Sequence, residues 1–265
     1  MHKRGDTLIE VMFAVGLFGL VAIGAISLMN QGLSSAQSTL ETTMARQEID
    51  AQAETLRFLR DAYMSEVDSA GSAITNVDCS NISSYGQLWK CITKKAYTAD
   101  KVVQDDPDFY KRVAEPGVSC DKLFRLEGTT SFSILNNSFV VNPRALNSAE
   151  NLKTALAVNS TQSIFRPTAT YPRLIYSDVN EALSDAEIGN DNRVSTKDYS
   201  SLSWAEGIWV TAIESEDRHT VEGGTTQPDY YDFRIQTCWD SLSNNSSAAI
   251  ASTIRLFNPD GAKAE

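Results

Sequence analysis

An α+β fold, with one long N-terminal helix packed on an antiparallel β-sheet head, is predicted by three observations. Val11 to Met29 is a run of nineteen residues without a charge. A helical apolar stripe then continues without proline as far as Tyr63. The C-terminal third shows strand periodicity in three separate runs. At 265 residues and 42% hydrophobic composition, the chain can bury a substantial core beside such a helix.

The uncharged run fits a membrane better than a signal peptide. Nineteen residues at about 1.5 Å each come close to the roughly 30 Å of a hydrocarbon core. A signal peptide would have a shorter apolar core and a small-residue cleavage site behind it, and Asn30-Gln31-Gly32-Leu33-Ser34-Ser35 offers none. Lys3 and Arg4 precede the run and no comparable cluster follows soon after. That asymmetry places the N-terminus in the cytoplasm and the remainder outside.

Downstream, Ala45, Ile49, Ala53, Leu56, Leu59 and Tyr63 recur at steps of three and four. This is one face of a helix, read here as the docking face for the chain's own head. Arg46 with Asp50, and Arg57 with Asp61, are opposite charges four residues apart on the wet faces. Ser69-Ala70-Gly71-Ser72 ends the pattern. The boundaries expected are 6–29 for the membrane half, 30–66 for the extramembrane half of the helix, and 67–265 for the head.

The middle of the head is less regular. Ser131 to Asn142 and Pro172 to Ser177 read as strands, and Asn147…Glu150 and Asp178…Glu181 as helix starts with a carboxylate three residues on. Ser184 to Arg193 is polar and acidic. The C-terminal third is plainer. Gly207 to Ile213 suits a strand covered on both faces. After a polar loop with Gly223-Gly224, Tyr230 to Trp239 sets Tyr231, Phe233 and Ile235 on one face and Asp232, Arg234 and Gln236 on the other. Cys238 falls on that second face, where it either enters a disulfide or marks a bulge. A turn at Asn244-Asn245-Ser246-Ser247 and a strand from Thr253 to Phe257 complete an antiparallel meander.

Charge and cysteine content narrow the function. The formal net charge is −11, so binding of nucleic acid by the whole surface is not expected. The four cysteines, Cys79, Cys91, Cys120 and Cys238, lie beyond the apolar run and form no C-x-x-C pair. With two histidines in the chain, a zinc site of mixed cysteine and histidine is not expected. An even count in an exported domain favours disulfides, and four cysteines permit three connectivities. Cys79 with Cys91 and Cys120 with Cys238 is the favoured pairing, with buried free thiols as the alternative.

Catalytic signals are weak. Ser215, the acids Glu216 and Asp217, and His219 stand side by side in what reads as a solvated turn, unlike a triad assembled from separate rigid elements. Nucleophile-elbow, P-loop and dinucleotide motifs do not occur in the sequence. The Ser184–Asn192 stretch carries oxygen donors but not calcium-loop spacing, and reads as a solvated acidic loop. Trp204, Trp209 and Trp239 read as core and rim packing. Neither a cofactor nor a metal is expected, and an enzyme is not.

One residue remains unexplained by simple anchoring. Glu10 sits at the polar edge of the apolar run, where a carboxylate is costly without a partner. A helix N-terminus offsets part of that cost. The order of a short basic leader, Gly5, Asp6-Thr7-Leu8-Ile9-Glu10 and the uncharged run resembles the N-terminus of type IV prepilins and pseudopilins. Thr7-Leu8-Ile9-Glu10 matches the family's T-L-I-E core, and Val11-Met12 continues it.

The resemblance covers about residues 1–35, and it implies a role for each position. A prepilin peptidase would cut after Gly5, removing residues 1–5 and leaving Asp6 as the first mature residue. Loss of Lys3 and Arg4 would take the charge from −11 to −13. Glu10 would be the fifth mature residue, pairing with a neighbouring subunit's N-terminal amine during assembly. The partners implied are the peptidase, other pilin subunits, and the membrane before assembly.

Two departures from the family pattern stand out. Phenylalanine, which is N-methylated, is usual where this chain has Asp6, so the departure bears on methylation of Asp6 more than on the cut. A helix-kinking proline is also missing, the first proline being Pro107.

The function expected is that of a minor pilin-like subunit of a type IV pilus. It would begin as a single-pass inner-membrane protein and end in a cell-surface filament. The alternatives are a pseudopilin of a type II secretion or DNA-uptake filament, and a permanently anchored surface-binding protein. A large head and the unusual Asp6 favour a minor over a major subunit.

Overall fold

The computed structural model describes residues 6–70, 74, 77–105, 120, 137–147, 149–158, 165–166, 171–176, 202–220, 226–242 and 246–260. The expected leader 1–5, the helix start at Asp178 and the acidic stretch Ser184 to Arg193 lie outside them.

Helix α1 (Asp6–Ala70) is a single element of 65 residues, roughly 97 Å long at 1.5 Å per residue. It stops inside the Ser69–Ser72 signal. The whole expected stripe is buried: Ala45, Leu56, Leu59 and Tyr63 fully, Ile49 and Ala53 almost so. Ion pairing on the wet face differs from expectation. Arg57 pairs with Glu54, and Asp61 with its neighbour Arg60 at 2.6 Å. Both pairs are exposed, and exposed charges settle on whichever partner costs least ordering.

The stripe docks on a six-stranded sheet. Strands β1 (Tyr97–Thr98), β2 (Phe139–Val141), β3 (Leu156–Val158), β7 (Ile208–Glu214), β10 (Tyr230–Ser241) and β11 (Ser246–Phe257) form it, in the order β11-β10-β7-β2-β3 with β1 parallel to β7. Its three long strands are the expected meander. Between β7 and β10 sits a hairpin of β8 (Arg218–Thr220) and β9 (Thr226–Pro228). A separate small sheet holds β4 (Phe165–Arg166), β6 (Leu202–Glu206) and β5 (Arg173–Tyr176).

Gly207 joins the two sheets. Its φ of 61° lets the chain leave β6 and enter β7 at once, a conformation that costs other residues strain. Its carbonyl accepts the Cys238 N–H at 2.9 Å, fixing the crossover to β10.

Several boundaries depart from the sequence reading. Ser246 and Ser247 belong to β11 and not to the turn, because β10 supplies pairing partners as far as Ser241↔Ser246. Asn147 ends one 3-10 helix (Pro143–Asn147), and the short helix expected from the Asn147…Glu150 signal is a second 3-10 helix, Ala149–Thr154. The first of the two begins after Asn142, whose Oδ1 accepts the Arg144 N–H at 3.0 Å. Among the described residues of the expected Ser131–Asn142 strand, Phe139–Val141 form β2, and Pro172 to Ser177 is represented by β5.

Two helices escaped the sequence reading. Helix α2 (Tyr85–Thr93) buries Leu88, Trp89, Cys91 and Ile92 between α1 and the sheet. Its Ser84 cap accepts the Gln87 N–H at 3.2 Å, so the Ser84-x-x-Gln87 spacing was a readable start signal. Helix α3 (Ala99–Asp105) follows β1.

Candidate functional site: the uncovered helix and its mount on the head

The most distinctive arrangement is an apolar helix the head does not cover. From Ile9 through Leu40 no residue of α1 is buried by the chain. Val11, Phe13, Val15, Phe18, Leu20, Val21 and Ile23 are each between 61% and 75% exposed. Water does not tolerate such a surface in a solitary monomer, so this half of α1 calls for lipid or another protein. By length and composition it can cross a membrane.

Of the residues singled out at this end, Gly5 lies outside the described residues. Asp6 is the first residue of α1. Glu10 lies one turn in and is exposed, with no ion-pair partner among the described residues. The structure therefore presents Glu10 to whatever surrounds the helix.

The head grips the other half through polar contacts set into the apolar stripe. Counting from Ile9, Glu41, 6% exposed, is the first buried residue of α1, and its Oε2 accepts the Trp239 indole N–H at 3.2 Å. Gln52, fully buried, donates to the Val141 carbonyl at 2.8 Å and accepts the Val141 N–H at 3.0 Å. Glu66 accepts from the Ser84 hydroxyl at 2.8 Å and from the Gly86 N–H at 3.1 Å, holding the start of α2. A Cβ on Gly86 would collide with Glu66 Oε2 and Ile74 Cδ1, so glycine permits this approach.

At the far end, the Asp260 carboxylate accepts from both the Tyr63 hydroxyl and Lys90 Nζ. Burial, and after it the hydrogen bond to Asp260, hold the Tyr63 hydroxyl well above the ordinary tyrosine range. Asn258 fixes the same turn, donating its side-chain N–H to the Pro228 carbonyl at 2.9 Å. The chain is thus pinned to α1 and α2 close to where α1 ends.

Both disulfides are formed in the pairing favoured from the sequence. Cys79–Cys91, with Cα atoms 5.6 Å apart, closes a short loop onto α2. Cys120–Cys238, at 5.8 Å, staples a segment 118 residues distant to β10. The Cys120 N–H also donates to Asp240 Oδ1 at 2.7 Å. The β10–β11 register runs unbroken through Cys238↔Ala249, so the cysteine marks no bulge there, while pairing with β7 stops one residue earlier at Thr237↔Ile208.

The serine, acid and histidine group is a solvated turn only in part: Glu216 and Asp217 are exposed in the link between β7 and β8, but Ser215 and His219 are not. His219 lies in β8, its Nδ1 2.5 Å from Asp229 Oδ1. Ser215 is buried; its Oγ donates to the Asp217 carbonyl and accepts the Asp229 and Tyr230 N–H groups. That hydroxyl shapes the hairpin base and does not meet the imidazole. Trp209 and Trp239 are buried in the main sheet, whereas Trp204 lies on the small one with its indole N–H on Glu206 at 3.3 Å.

The class this defines is a long, apolar N-terminal helix carried on an antiparallel sheet head closed by disulfides, an arrangement compatible with a pilin-like fold. No protein-family model, no curated protein and no solved structure matches the chain.

Proposed function

We propose that this chain is a minor pilin-like subunit of a type IV pilus. A prepilin peptidase processes it between Gly5 and Asp6, and it assembles through its apolar helix with other pilin subunits. The observation that carries the reading is the continuity of α1: one helix joins an uncovered apolar half to a half locked into the head. Such a part can leave the bilayer and enter a helical bundle without refolding, since none of its residues from Ile9 through Leu40 is buried among the described residues. Glu10 is exposed one turn into the helix, and in this reading it meets a neighbour's amine in the low-dielectric bundle, where a paired carboxylate is tolerated.

In this reading the protein begins as a single-pass inner-membrane subunit and ends in a surface filament, and its role is structural. N-terminal sequencing of the mature protein from sheared surface filaments is the test. A chain beginning at Asp6 in the sheared fraction supports the proposal. A chain that begins at Met1 and stays in the membrane fraction refutes it in favour of a permanently anchored surface protein.

A further inference from the structure

Between the apolar run and the head lies a stretch of α1, Asn30 to Leu40, that neither lipid chains nor the head's own core accounts for. It is exposed along its length, apart from partial cover at Ser34 and Ser38. A helix projecting alone into water ordinarily carries charges in i,i+4 pairs. This one carries none, and the uncharged stretch extends from Val11 without interruption through Leu40.

Its few apolar side chains are not scattered. Leu33, Ala36 and Leu40 follow steps of three and four, and the same stripe runs back through Met29 and Ile26. Leu33 is 60% exposed and Leu40 55%. A repeat of this spacing is the seam of two supercoiled helices. The seam ends where the head begins: Glu41 and Ala45 dock on the sheet, and the stripe's next positions, Thr43 and Gln47, are polar and exposed.

The flanking positions indicate the occupant. Residues beside such a seam select partners by charge. Here they are Asn30, Gln37, Gly32 and Thr39, all neutral. The Thr39 hydroxyl already donates to the Ser35 carbonyl at 2.9 Å, so covering it strands no donor. In a chain of net charge −11, this is a surface on which two copies meet without repulsion. Anchorage in one bilayer makes two copies parallel and aligns their stripes in register. Gly32 and Ala36 let the backbones approach closely.

We propose that two copies of this chain pair through a parallel helix seam of Leu33, Ala36 and Leu40, continuous with Met29 and Ile26, just outside the bilayer. The proposal rests on the membrane-anchored part of the function above, and neither on leader cleavage nor on filament entry.

Single cysteines test it in the full chain, in membranes of the cells that make it. Leu33→Cys, Ala36→Cys and Leu40→Cys are compared with Gln31→Cys and Ser35→Cys after mild oxidation, on non-reducing gels with mass spectrometry of the products. The expected result is a homodimer several-fold more abundant at the three stripe positions than at the two off it. Equal yields at all five, no dimer at Leu33→Cys and Leu40→Cys, or adducts to a different polypeptide would overturn it.

Leu33→Gln/Leu40→Gln, two exposed positions outside the head, provides an independent arm. In detergent its sedimenting mass should fall from dimer to monomer with both native disulfides intact, and a dimer retained would overturn the seam. Shearing the same cells separates the two readings. Dimers without sheared filaments leave the seam standing and remove the filament. Filaments without the periodic crosslinks do the reverse.

Discussion

Gln52 and Val141 share two hydrogen bonds in the middle of the interface between helix and sheet, with the glutamine amide standing in for a strand. The need arises from the sheet itself. Strand β2 pairs with β7 only at Phe139↔Val210, which leaves the Val141 backbone without a strand partner on that side two residues later. A buried helix residue with one donor and one acceptor fills the gap. The same contact helps fix the register of α1 on the head, since Gln52 is, among the described residues, the one buried residue of α1 that carries a side-chain amide.

Replacing Gln52 with leucine should therefore cost more than a typical buried polar substitution. The variant keeps the apolar volume but strands a buried N–H and a buried carbonyl, for an expected loss of about 2–4 kcal/mol. Urea denaturation of the full chain in detergent, followed by tryptophan fluorescence, measures it. A loss below about 0.5 kcal/mol, the range of neutral surface changes, would show that Val141 finds other partners.

The disulfides should differ in weight. They close separate loops, one spanning 12 residues and the other 118. Loop-closure entropy puts them at about 3 and 4–5 kcal/mol. Cys120→Ser/Cys238→Ser should lower the denaturation midpoint more than Cys79→Ser/Cys91→Ser. The reverse order would mean that the α2 loop depends on its crosslink for native packing.

What the sequence made legible follows from how local each signal is. The docking stripe from Ala45 to Tyr63 was readable because helical period and burial coincide over five turns. The β7–β10–β11 meander was readable because each strand alternates within itself. Helix α2 was missed although Ser84 and Gln87 announce it, since nine residues make a weak period. The roles of Gln52, Glu41 and Asp260 were not readable at all. Their partners, Val141, Trp239, Tyr63 and Lys90, are distant in sequence, and nothing local distinguishes a buried glutamine from a solvated one. At the candidate site the reverse holds: Glu10 was conspicuous in sequence as an acid at an apolar edge, and the structure adds its exposure.

Alkali should unfold the head cooperatively. Burial holds Tyr63 well above its ordinary range and raises Tyr176 and Tyr231 to about 12. A raised folded-state value means the folded chain keeps protons that the unfolded chain releases, so stability is full below about pH 10 and falls as pH rises beyond it. For Tyr176 and Tyr231 the loss is complete near pH 12; for Tyr63 it continues further. Tyrosinate absorbance recorded with far-ultraviolet circular dichroism on the full chain should show a fraction of the nine tyrosines ionising only in step with loss of structure. Smooth ionisation of all nine before any structural change would contradict the burial.

Substitution of Glu10 separates assembly from everything else the helix does. The carboxylate is exposed and has no ion-pair partner among the described residues, so Glu10→Ala is not expected to disturb folding. Removing a charge from the edge of an apolar run should favour the bilayer slightly. Membrane insertion, the two disulfides and the urea midpoint are therefore expected to match the parent chain. If the carboxylate meets a neighbour's amine in a bundle, its loss should sharply reduce the share recovered in sheared filaments, while Glu10→Asp, which keeps the charge on a shorter arm, should recover part of it. The assay is the ratio of sheared to membrane-bound protein for the three chains, each with its N-terminus sequenced. Equal ratios would show that the acid only caps the helix start, where the helix dipole alone accounts for it.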